Sequence, residues 1–321
     1  MSASHLVYRT LRPIAKRISP LIARWEDQIF ADYHDLPPAH PPVFIVGAPR
    51  TGSTLLNQLI TQVYDVAYIS NLADIFYRNL AFGMYLHHRL YGKQGHHTQT
   101  SRFGNTRHLS LSAPSEGGDF WYQWLPKAKH FIDFDEVAPE AITEIQSIIF
   151  GTTNYFNKPL VFKNLNMGQR MRLIYKITSD AKFIWIKRDP LYTVQSILMA
   201  RRKLRIPNDQ LWSVKPADTS WVGILGEIAM VVRQVYELEK QIATDKSLFP
   251  SQNILEIYYR NFCEDTEAEL RKIGYFLGDL VVRRSSTRII SPTDQNDCRI
   301  APADFKQIQI EMRKYNWQTY A

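Results

Sequence analysis

The segment PPVFIVGAPRTGSTLLNQLITQ, residues 41–62, constrains the fold more than any other part of the chain. Its apolar run VFIVG predicts a buried strand, and the periodic apolar residues that follow predict an amphipathic helix. The loop between them has the G-x-x-x-x-G spacing of a phosphate-binding loop, but Ser53 replaces the usual lysine and Arg50 is the cation instead. Glycines let backbone N–H groups approach an anion, and a helix N-terminus favours negative charge. The loop therefore predicts an anion site.

Strands and helices alternate along the rest of the sequence. The apolar runs that predict buried strands are Val43–Gly47, Pro159–Lys163, Lys182–Lys187 and Asn253–Tyr259, with a weaker candidate at Val66–Ser70. The segments with helical periodicity are Ser53–Val63, Leu72–Leu90, Pro139–Tyr155, Gly168–Thr178, Leu191–Leu204, Ser220–Thr244 and Thr266–Leu277. Such alternation predicts an α/β fold, with a parallel sheet flanked by helices.

The domain organisation follows from what separates these elements. No repeat and no linker divides the chain, so we predict a single α/β domain over residues 41–321. Residues 1–40 are predicted to form a basic helical arm packed on this domain, the alternative being a helix on a membrane surface. Residues 71–157 contain no strong strand signal and many aromatic and histidine residues, which predicts a substrate-binding insertion. Nothing is assigned beyond Gly278.

Composition limits the possible partners and compartments. The net charge of +8 and pI of about 9.3 suggest an anionic partner. Zinc-finger spacing and RNA-binding aromatic motifs are absent from the sequence, so no nucleic acid is expected, and the histidines and acids show no metal-ligand spacing. Two cysteines cannot build a disulfide framework, which predicts a reducing, cytoplasmic location. No apolar run of about 18 residues is present, so no transmembrane helix is expected.

A second motif, FIWIKRDPLYTVQSIL, has the same strand-to-helix form as the first. Arg188 follows the strand, and Pro190 suits the first turn of a helix. Ser196 lies two helical turns along, on a face that can meet the same anion as Arg188. By themselves these residues also fit a structural ion pair between Arg188 and Asp189 and an exposed serine.

The stretch GAPRTGSTLL resembles the phosphosulfate-binding loop of sulfotransferases that use 3′-phosphoadenosine 5′-phosphosulfate (PAPS). The order of the second motif and, more weakly, ILEIYYRNFCEDTEAELRKIGYFLG extend the resemblance over residues 43–278. It implies the P-loop-like sulfotransferase architecture and the following site residues: Arg50, Thr51, Gly52, Ser53 and Thr54 at the 5′-phosphosulfate, Arg188 and Ser196 at the 3′-phosphate, and Tyr259 near the nucleotide. The basic residues Arg283, Arg284, Arg288 and Arg299 are further candidates to cover the 3′-phosphate.

Sulfuryl transfer, like phosphoryl transfer, needs cations at the transferring group and a base for the acceptor hydroxyl. Arg50 and Lys163, the latter at the end of the strand PLVFK, are the predicted cations. One branch of the family continues Lys-Thr-His and uses that histidine as base. This chain continues Lys163-Asn164, so it resembles the bacterial and protein-tyrosine-type branches, which use a glutamate. Glu116 in SAPSEGGDFWYQW is the candidate base.

Several alternatives stay open at this point. Glu116 is equally suited to capping the next helix, and Asp119, His108 and His130 are other candidate bases. The resemblance implies an enzyme that uses PAPS without a metal and releases PAP, the 3′,5′-bisphosphate product. Small-molecule, lipid, glycan and peptide hydroxyl groups all remain possible acceptors. A P-loop kinase or nucleoside triphosphatase that uses Asp189 as a metal ligand, and a non-catalytic PAP- or PAPS-binding protein, are the rival hypotheses.

Overall fold

One five-stranded parallel sheet forms the centre of the computed structural model, which describes residues 3–92, 96–100, 104, 106–278, 280 and 289–317. The strand order is β2–β3–β1–β4–β5. The strands are β1 Val43–Val46, β2 Ala67–Tyr68, β3 Leu160–Lys163, β4 Lys182–Lys187 and β5 Ile254–Tyr258. The predicted strands and the parallel α/β fold are confirmed, and the weaker candidate is the two-residue edge strand β2.

Helices connect these strands and cover both faces of the sheet. The described helices are α1 Ala3–His34, α2 Ser53–Val63, α3 Asn71–Ile75, α4 Leu80–Tyr91, α5 Gly118–Trp121, α6 Pro139–Phe156, α7 Met171–Ile177, α8 Pro190–Leu204, α9 Glu227–Asp245, α10 Tyr259–Glu264, α11 Thr266–Phe276 and α12 Pro302–Met312. Short 3₁₀ turns occupy Leu165–Gln169, Lys246–Leu248 and Ser251–Asn253.

Both faces of the sheet are buried, which explains why its strands are continuous apolar runs. Alternate residues of a strand point to opposite faces, so Phe44 and Val46 join one apolar cluster while Val43 and Ile45 join another. The first cluster includes residues of α5, α6 and α7, and the second includes residues of α2 and α11. Each strand is thereby fixed on two sides, and its carboxyl end is held at a defined position.

The prediction of a single helix over Leu72–Leu90 is wrong. The segment forms two helices, α3 and α4, which are separated by residues 76–79. The apolar periodicity continues across the break, since both α3 and α4 bury a face. A residue from α1 decides the break: the Glu26 carboxylate accepts the Asn79 side-chain amide at 2.8 Å and the Phe82 N–H at 2.7 Å. It therefore binds the Asn79 side chain and also satisfies the Phe82 N–H, a backbone donor that a continuous helix would satisfy internally.

Other helix bounds also differ from the sequence predictions. The segment 220–226 forms turns, with Gly223 at a φ of 83°, and α9 begins only at Glu227. Residues 165–169 form a 3₁₀ turn before α7. The helix α12, which begins with Pro302 in its first turn, lies beyond Gly278, where no element was predicted.

The helix α1 packs against α3, α4 and α6. Phe30 is fully buried, with its ring centroid 4.5 Å from that of Tyr155, and the Tyr8 hydroxyl donates to Asp74 at 2.6 Å. The division into an arm of residues 1–40 and one domain of residues 41–321 stays a prediction. Among the helices described, none is long and apolar enough to cross a membrane.

Candidate active site

The carboxyl ends of four neighbouring strands bring the candidate residues to one edge of the sheet. The loop of Gly47–Thr54 follows β1, and Lys163 ends β3. Arg188 follows β4, and Tyr259 follows β5. This is the edge at which open α/β sheets bind ligands, so parallel pairing places the predicted residues together.

The loop after β1 requires its glycines. Gly47 has a φ of 142°, and a Cβ there would lie 2.5 Å from the carbonyl oxygen of Ile186. Gly52 has a φ of 94°, and a Cβ there would lie 2.9 Å from Cδ2 of Tyr259. Arg50 also adopts a positive φ, 73°, which is unusual for a residue with a side chain. The N-cap of α2 is Gly52, which has no side chain to accept hydrogen bonds from the first N–H groups of the helix.

A buried carboxylate supports this loop from behind. Glu239 of α9 accepts the Ala48 N–H at 2.7 Å with Oε1 and the Trp185 indole N–H at 2.8 Å with Oε2. Burial raises the pKa of Glu239 from its ordinary value of 4.5 to about 7, and the two hydrogen bonds oppose that rise. Sequence reasoning missed this residue. The sequence does contain a signal that could have indicated it: Glu239 is a charged residue on the apolar face of α9, between the buried residues Val235 and Ile242.

Arg50 and Arg188 lie side by side across the loop. The Arg50 Nε donates to the Ser196 hydroxyl at 3.1 Å, and the Arg188 Nη1 donates to the Arg50 carbonyl at 2.9 Å. The Arg188 guanidinium lies 4.6 Å from the centroid of the Tyr259 ring. Burial lowers the pKa of Arg50, and the charge of Arg188 lowers it further. The structure thus brings together four residues that three separate stretches of the sequence supplied.

Residues 295 and 296 hold Arg188 from the other side. The Arg188 Nε donates to the Asn296 side chain at 2.8 Å, and Nη2 donates to the Gln295 carbonyl at 2.8 Å. No sequence pattern pointed to these two residues. Arg299 lines the same space and pairs with Asp297 at 2.8 Å, whereas the predicted residues Arg283, Arg284 and Arg288 lie outside the described residues.

These residues line a cavity of about 450 Å³, called here the donor cavity. Its charged lining among the described residues is Glu116 and five cations: Arg50, Lys163, Arg188, Lys203 and Arg299. Its neutral lining includes Gly52, Ser53, Thr54, Ser196, Trp212 and Tyr259. The excess of cations suits a ligand with several negative charges.

Glu116 reaches this site through a chain reversal beside β2. The Asn71 N–H donates to the Ala113 carbonyl at 2.8 Å, and the Ser115 N–H donates to the Ile69 carbonyl at 2.8 Å. Gly117 then turns at a φ of 59°, where a Cβ would lie 2.5 Å from Cδ1 of Ile69. Because β2 neighbours β3, this turn delivers Glu116 to the end of the strand that carries Lys163.

Glu116 forms an ion pair with Lys163. The Lys163 side chain is 2% exposed and that of Glu116 is 50% exposed, so the carboxylate connects a buried cation with the open cavity. A Cβ at Gly104 would lie 3.3 Å from Glu116 Oε1 and 3.6 Å from Thr54 Oγ1, which places the backbone of Gly104 over this pair. Gly117 rather than Glu116 is the N-cap of α5, so the alternative capping role is not observed.

A second cavity of about 470 Å³, called here the acceptor cavity, meets the donor cavity at Glu116. The two share Gly104, Glu116, Leu165 and Ser213. The rest of its described lining is mostly polar: Thr106, Arg107, Ser115, Gly118, Asp119, Tyr122, His130, Asn164, Asn166 and Val214. A group bound in one cavity can therefore meet a group bound in the other beside the Glu116 carboxylate.

The other candidate bases are placed less favourably. Asp119 pairs with Arg12, Arg107 and Lys127; burial raises its pKa, but the hydrogen bonds and charges of Arg12 and Lys127 hold that pKa below its ordinary value. His130 accepts the Lys215 N–H with Nδ1 at 2.8 Å, and burial lowers its pKa to about 4. His108 is exposed and is not among the described lining residues of either cavity.

The residue proposed as a metal ligand in the kinase hypothesis has a structural role. The Asp189 carboxylate caps α8 by accepting the Leu191 N–H at 2.8 Å. Within the described ranges no cluster of three histidine, cysteine, aspartate or glutamate side chains is arranged to hold a metal ion.

Comparison with known proteins agrees with this geometry. A family model described as the sulfotransferase family matches residues 41–279, and the chain therefore belongs to the sulfotransferase family. It is 24% identical over 263 residues to the omega-hydroxy-beta-dihydromenaquinone-9 sulfotransferase Stf3 of Mycobacterium bovis, and to the protein of the same name from Mycobacterium tuberculosis. These matches cover 75% of this chain, which spans 63% of the length of those relatives.

Among solved structures, the chain is similar to sulfotransferase STF9 from Mycobacterium avium. The TM-score is 0.50 at 15% identity, and the match covers 79% of this chain and 67% of that one. The predicted family and the predicted sulfotransferase architecture are confirmed.

Proposed function

We propose that this protein transfers the sulfuryl group of PAPS to a hydroxyl group of an acceptor and releases PAP. One observation carries the proposal: a cation-rich donor cavity and a polar acceptor cavity meet at the Glu116–Lys163 pair. In-line transfer needs such a junction, because the attacking hydroxyl must approach the sulfur from the side opposite to the leaving phosphate oxygen.

The donor cavity fits PAPS in shape and charge. The loop residues Gly52, Ser53 and Thr54, with the uncapped start of α2, line the donor cavity and suit the 5′-phosphosulfate. Thr51 is buried and its hydroxyl donates to the Ala48 carbonyl at 2.9 Å, so its proposed part is to hold the shape of the loop. Arg188 uses three of its five N–H groups within the protein, so two remain for a 3′-phosphate beside Ser196. Tyr259 packs between Gly52 and Arg188 and suits a position against the nucleotide.

When bound, PAPS supplies the sulfuryl group, and the residues of the chain supply positioning, charge and proton removal. The Glu116 carboxylate accepts the proton of the acceptor hydroxyl, which raises the nucleophilicity of that oxygen. Lys163 and Arg50 stabilise the negative charge that develops around the transferring group. Arg50 acts by charge alone, because a guanidinium does not give up its proton at neutral pH.

The acceptor cavity favours an acceptor with hydrogen-bonding groups around the attacked hydroxyl. Leu165 and Val214 are the aliphatic residues in its described lining, whereas Asn164, Asn166 and Tyr122 all present polar atoms. The name of the mycobacterial relatives assigns them a hydroxylated lipid, omega-hydroxy-beta-dihydromenaquinone-9. A hydroxyl on a polar head group fits the cavity; small-molecule, lipid, glycan and peptide carriers of that group are the acceptors to screen.

The cytoplasm remains the predicted compartment, based on two cysteines that are both free in the structure. The domain division given above and the absence of a metal requirement belong to the same set of proposals.

Titration of the protein with PAP in the absence of Mg²⁺ tests the donor site. Wild type is expected to bind, and Arg188→Ala to bind roughly 10- to 100-fold more weakly, since a hydrogen bond between charged groups contributes about 1.5–3 kcal/mol. Arg271→Ala, at an exposed position on α11, is the matched control and should bind like wild type.

Two outcomes would favour one of the alternative functions instead. Binding of Mg·ATP without binding of PAP would make the loop part of a nucleoside triphosphate enzyme. Tight PAP binding without PAP release from PAPS in any acceptor screen would make the protein a nucleotide-binding protein.

A further inference from the structure

The helix α1 carries a second apolar face, in addition to the face that packs on the domain. The inward face buries Tyr8, Ala15, Ile22 and Phe30. Another set of large apolar side chains is between 37% and 65% exposed, and we call this set the outer stripe: Leu11, Ile14, Ile18, Leu21 and Ile29. Their spacing of three, four, three and eight residues places them in one row along the helix.

Two of the basic residues of α1 border the outer stripe, along one side. The first acidic residue of the chain is Glu26, and the residues before it include Arg9, Arg12, Lys16, Arg17 and Arg24. Lys16, Arg17 and Arg24 are exposed. At 100° per residue, Arg17 and Arg24 follow the edge of the stripe next to Leu21. The exposed side of α1 therefore combines an apolar row with a positively charged border.

We propose that the outer stripe of α1 docks on an anionic lipid surface, with the helix axis parallel to that surface. An apolar row with basic neighbours is the pattern of helices that lie in the membrane interface, where the apolar side chains enter the acyl boundary and the cations meet lipid headgroups. From Leu11 to Ile29 the row is about 27 Å long at the α-helical rise.

Charge distinguishes this occupant from a second copy of the chain. A symmetric pair formed through the outer stripe would bring Arg17 and Arg24 of each copy near the same residues of the other copy. The net charge of +8 adds to that repulsion. An anionic lipid surface, by contrast, complements the border.

Docking through α1 would also orient the acceptor cavity. Arg12, on the same helix, pairs with Asp119, which lines that cavity. The outer stripe and the acceptor cavity are thus connected through a single helix. If the proposed function holds, docking brings the acceptor cavity close to hydroxyl groups carried by lipids.

Vesicle flotation with the full chain tests the proposal. The probes are vesicles of phosphatidylcholine alone and of phosphatidylcholine with phosphatidylglycerol, each at low and high salt. Wild type is expected to float with the anionic vesicles, and less so at high salt. The variant Ile14→Ser/Ile18→Ser/Leu21→Ser should lose at least tenfold in partition coefficient. Ile224→Ser/Tyr275→Ser removes large apolar side chains that are still more exposed, at positions outside α1, and should float like wild type.

A second variant tests the same surface without changing its apolar residues, in case the triple variant does not fold. Arg17→Gln/Arg24→Gln leaves the apolar row intact and should weaken partition about fivefold per residue, with a smaller salt effect. The proposal is overturned if wild type does not float with anionic vesicles, or if the triple variant and the double arginine variant both float as well as wild type. It is also overturned if sedimentation shows a dimer that the triple variant dissociates. PAP binding is measured separately by titration. Failure of vesicle binding would therefore not count against the proposed sulfuryl transfer, and failure of PAP binding would not count against docking.

Discussion

The buried carboxylate behind the phosphate-binding loop gives a prediction whose magnitude follows from the structure. Because burial raises the pKa of Glu239 from 4.5 to about 7, the folded protein holds the proton more tightly than the unfolded chain. The stabilisation from that proton is complete below about pH 4.5 and is lost as the pH rises through about 7. A shift of this size corresponds to about 3 kcal/mol, of which about 2–3 kcal/mol is lost between pH 5 and pH 8.

The substitution Glu239→Gln removes the titration while keeping the shape of the side chain. The amide oxygen can still accept one N–H, but the amide nitrogen then faces a second donor, from Ala48 or Trp185. We therefore expect PAP affinity to fall roughly tenfold, since a hydrogen bond to the loop or to its support is lost and two donors face each other. In urea unfolding, the free-energy difference between wild type and variant should change by about 2–3 kcal/mol from pH 5 to pH 8, in favour of the variant at high pH.

Glu237→Gln is the matched control, because Glu237 lies on the same helix and pairs with Arg233 at 3.8 Å on the outer side. Its unfolding free energies should run parallel to those of wild type. If wild type and Glu239→Gln also run parallel between pH 5 and pH 8, Glu239 does not titrate in this range. The argument from burial would then be refuted.

Three further predictions concern residues of the two cavities and of their junction. Glu116→Gln should lower kcat by roughly 100- to 10,000-fold while PAP affinity stays within about twofold, as measured by PAP release and by titration; equal loss of both would make Glu116 a donor-binding residue. Gly52→Ala should weaken PAP binding, since a positive φ costs about 1–3 kcal/mol and the new Cβ meets Tyr259, whereas Gly226→Ala, where a Cβ has open space, should not. His130→Gln should lower kcat by less than about threefold at neutral pH, because a pKa of about 4 makes the neutral histidine a weak base; a loss of about 100-fold or more would contradict the assignment of Glu116 as the base.

The parts of the fold that could be predicted are those that local sequence decides. Strands buried on both faces are continuous apolar runs, and the loop at Gly47 has glycines where the backbone has no room for a Cβ. The break between α3 and α4 could not be predicted, because its cause, Glu26, lies about fifty residues away.

The candidate site divides in the same way. Arg50 and Arg188 belong to contiguous motifs, so the sequence indicated them directly. The position of Glu116 depends on the chain reversal beside β2, and the contact of Glu239 with the loop depends on how α9 packs under the sheet. Neither arrangement has a local signature, since each results from long-range pairing.

Arg188 gives the site a property that no single contact describes. Its guanidinium, proposed to hold the 3′-phosphate, also donates to the carbonyl of Arg50 in the loop proposed for the 5′ end. If a bound 3′-phosphate fixes Arg188, this hydrogen bond also fixes the loop at Arg50, and because binding couplings are reciprocal the 5′ end then strengthens the 3′ contact by the same factor. A nucleotide without its 3′-phosphate therefore loses more affinity than the missing contact alone accounts for. Selectivity for a doubly anchored donor is, on this view, cooperative.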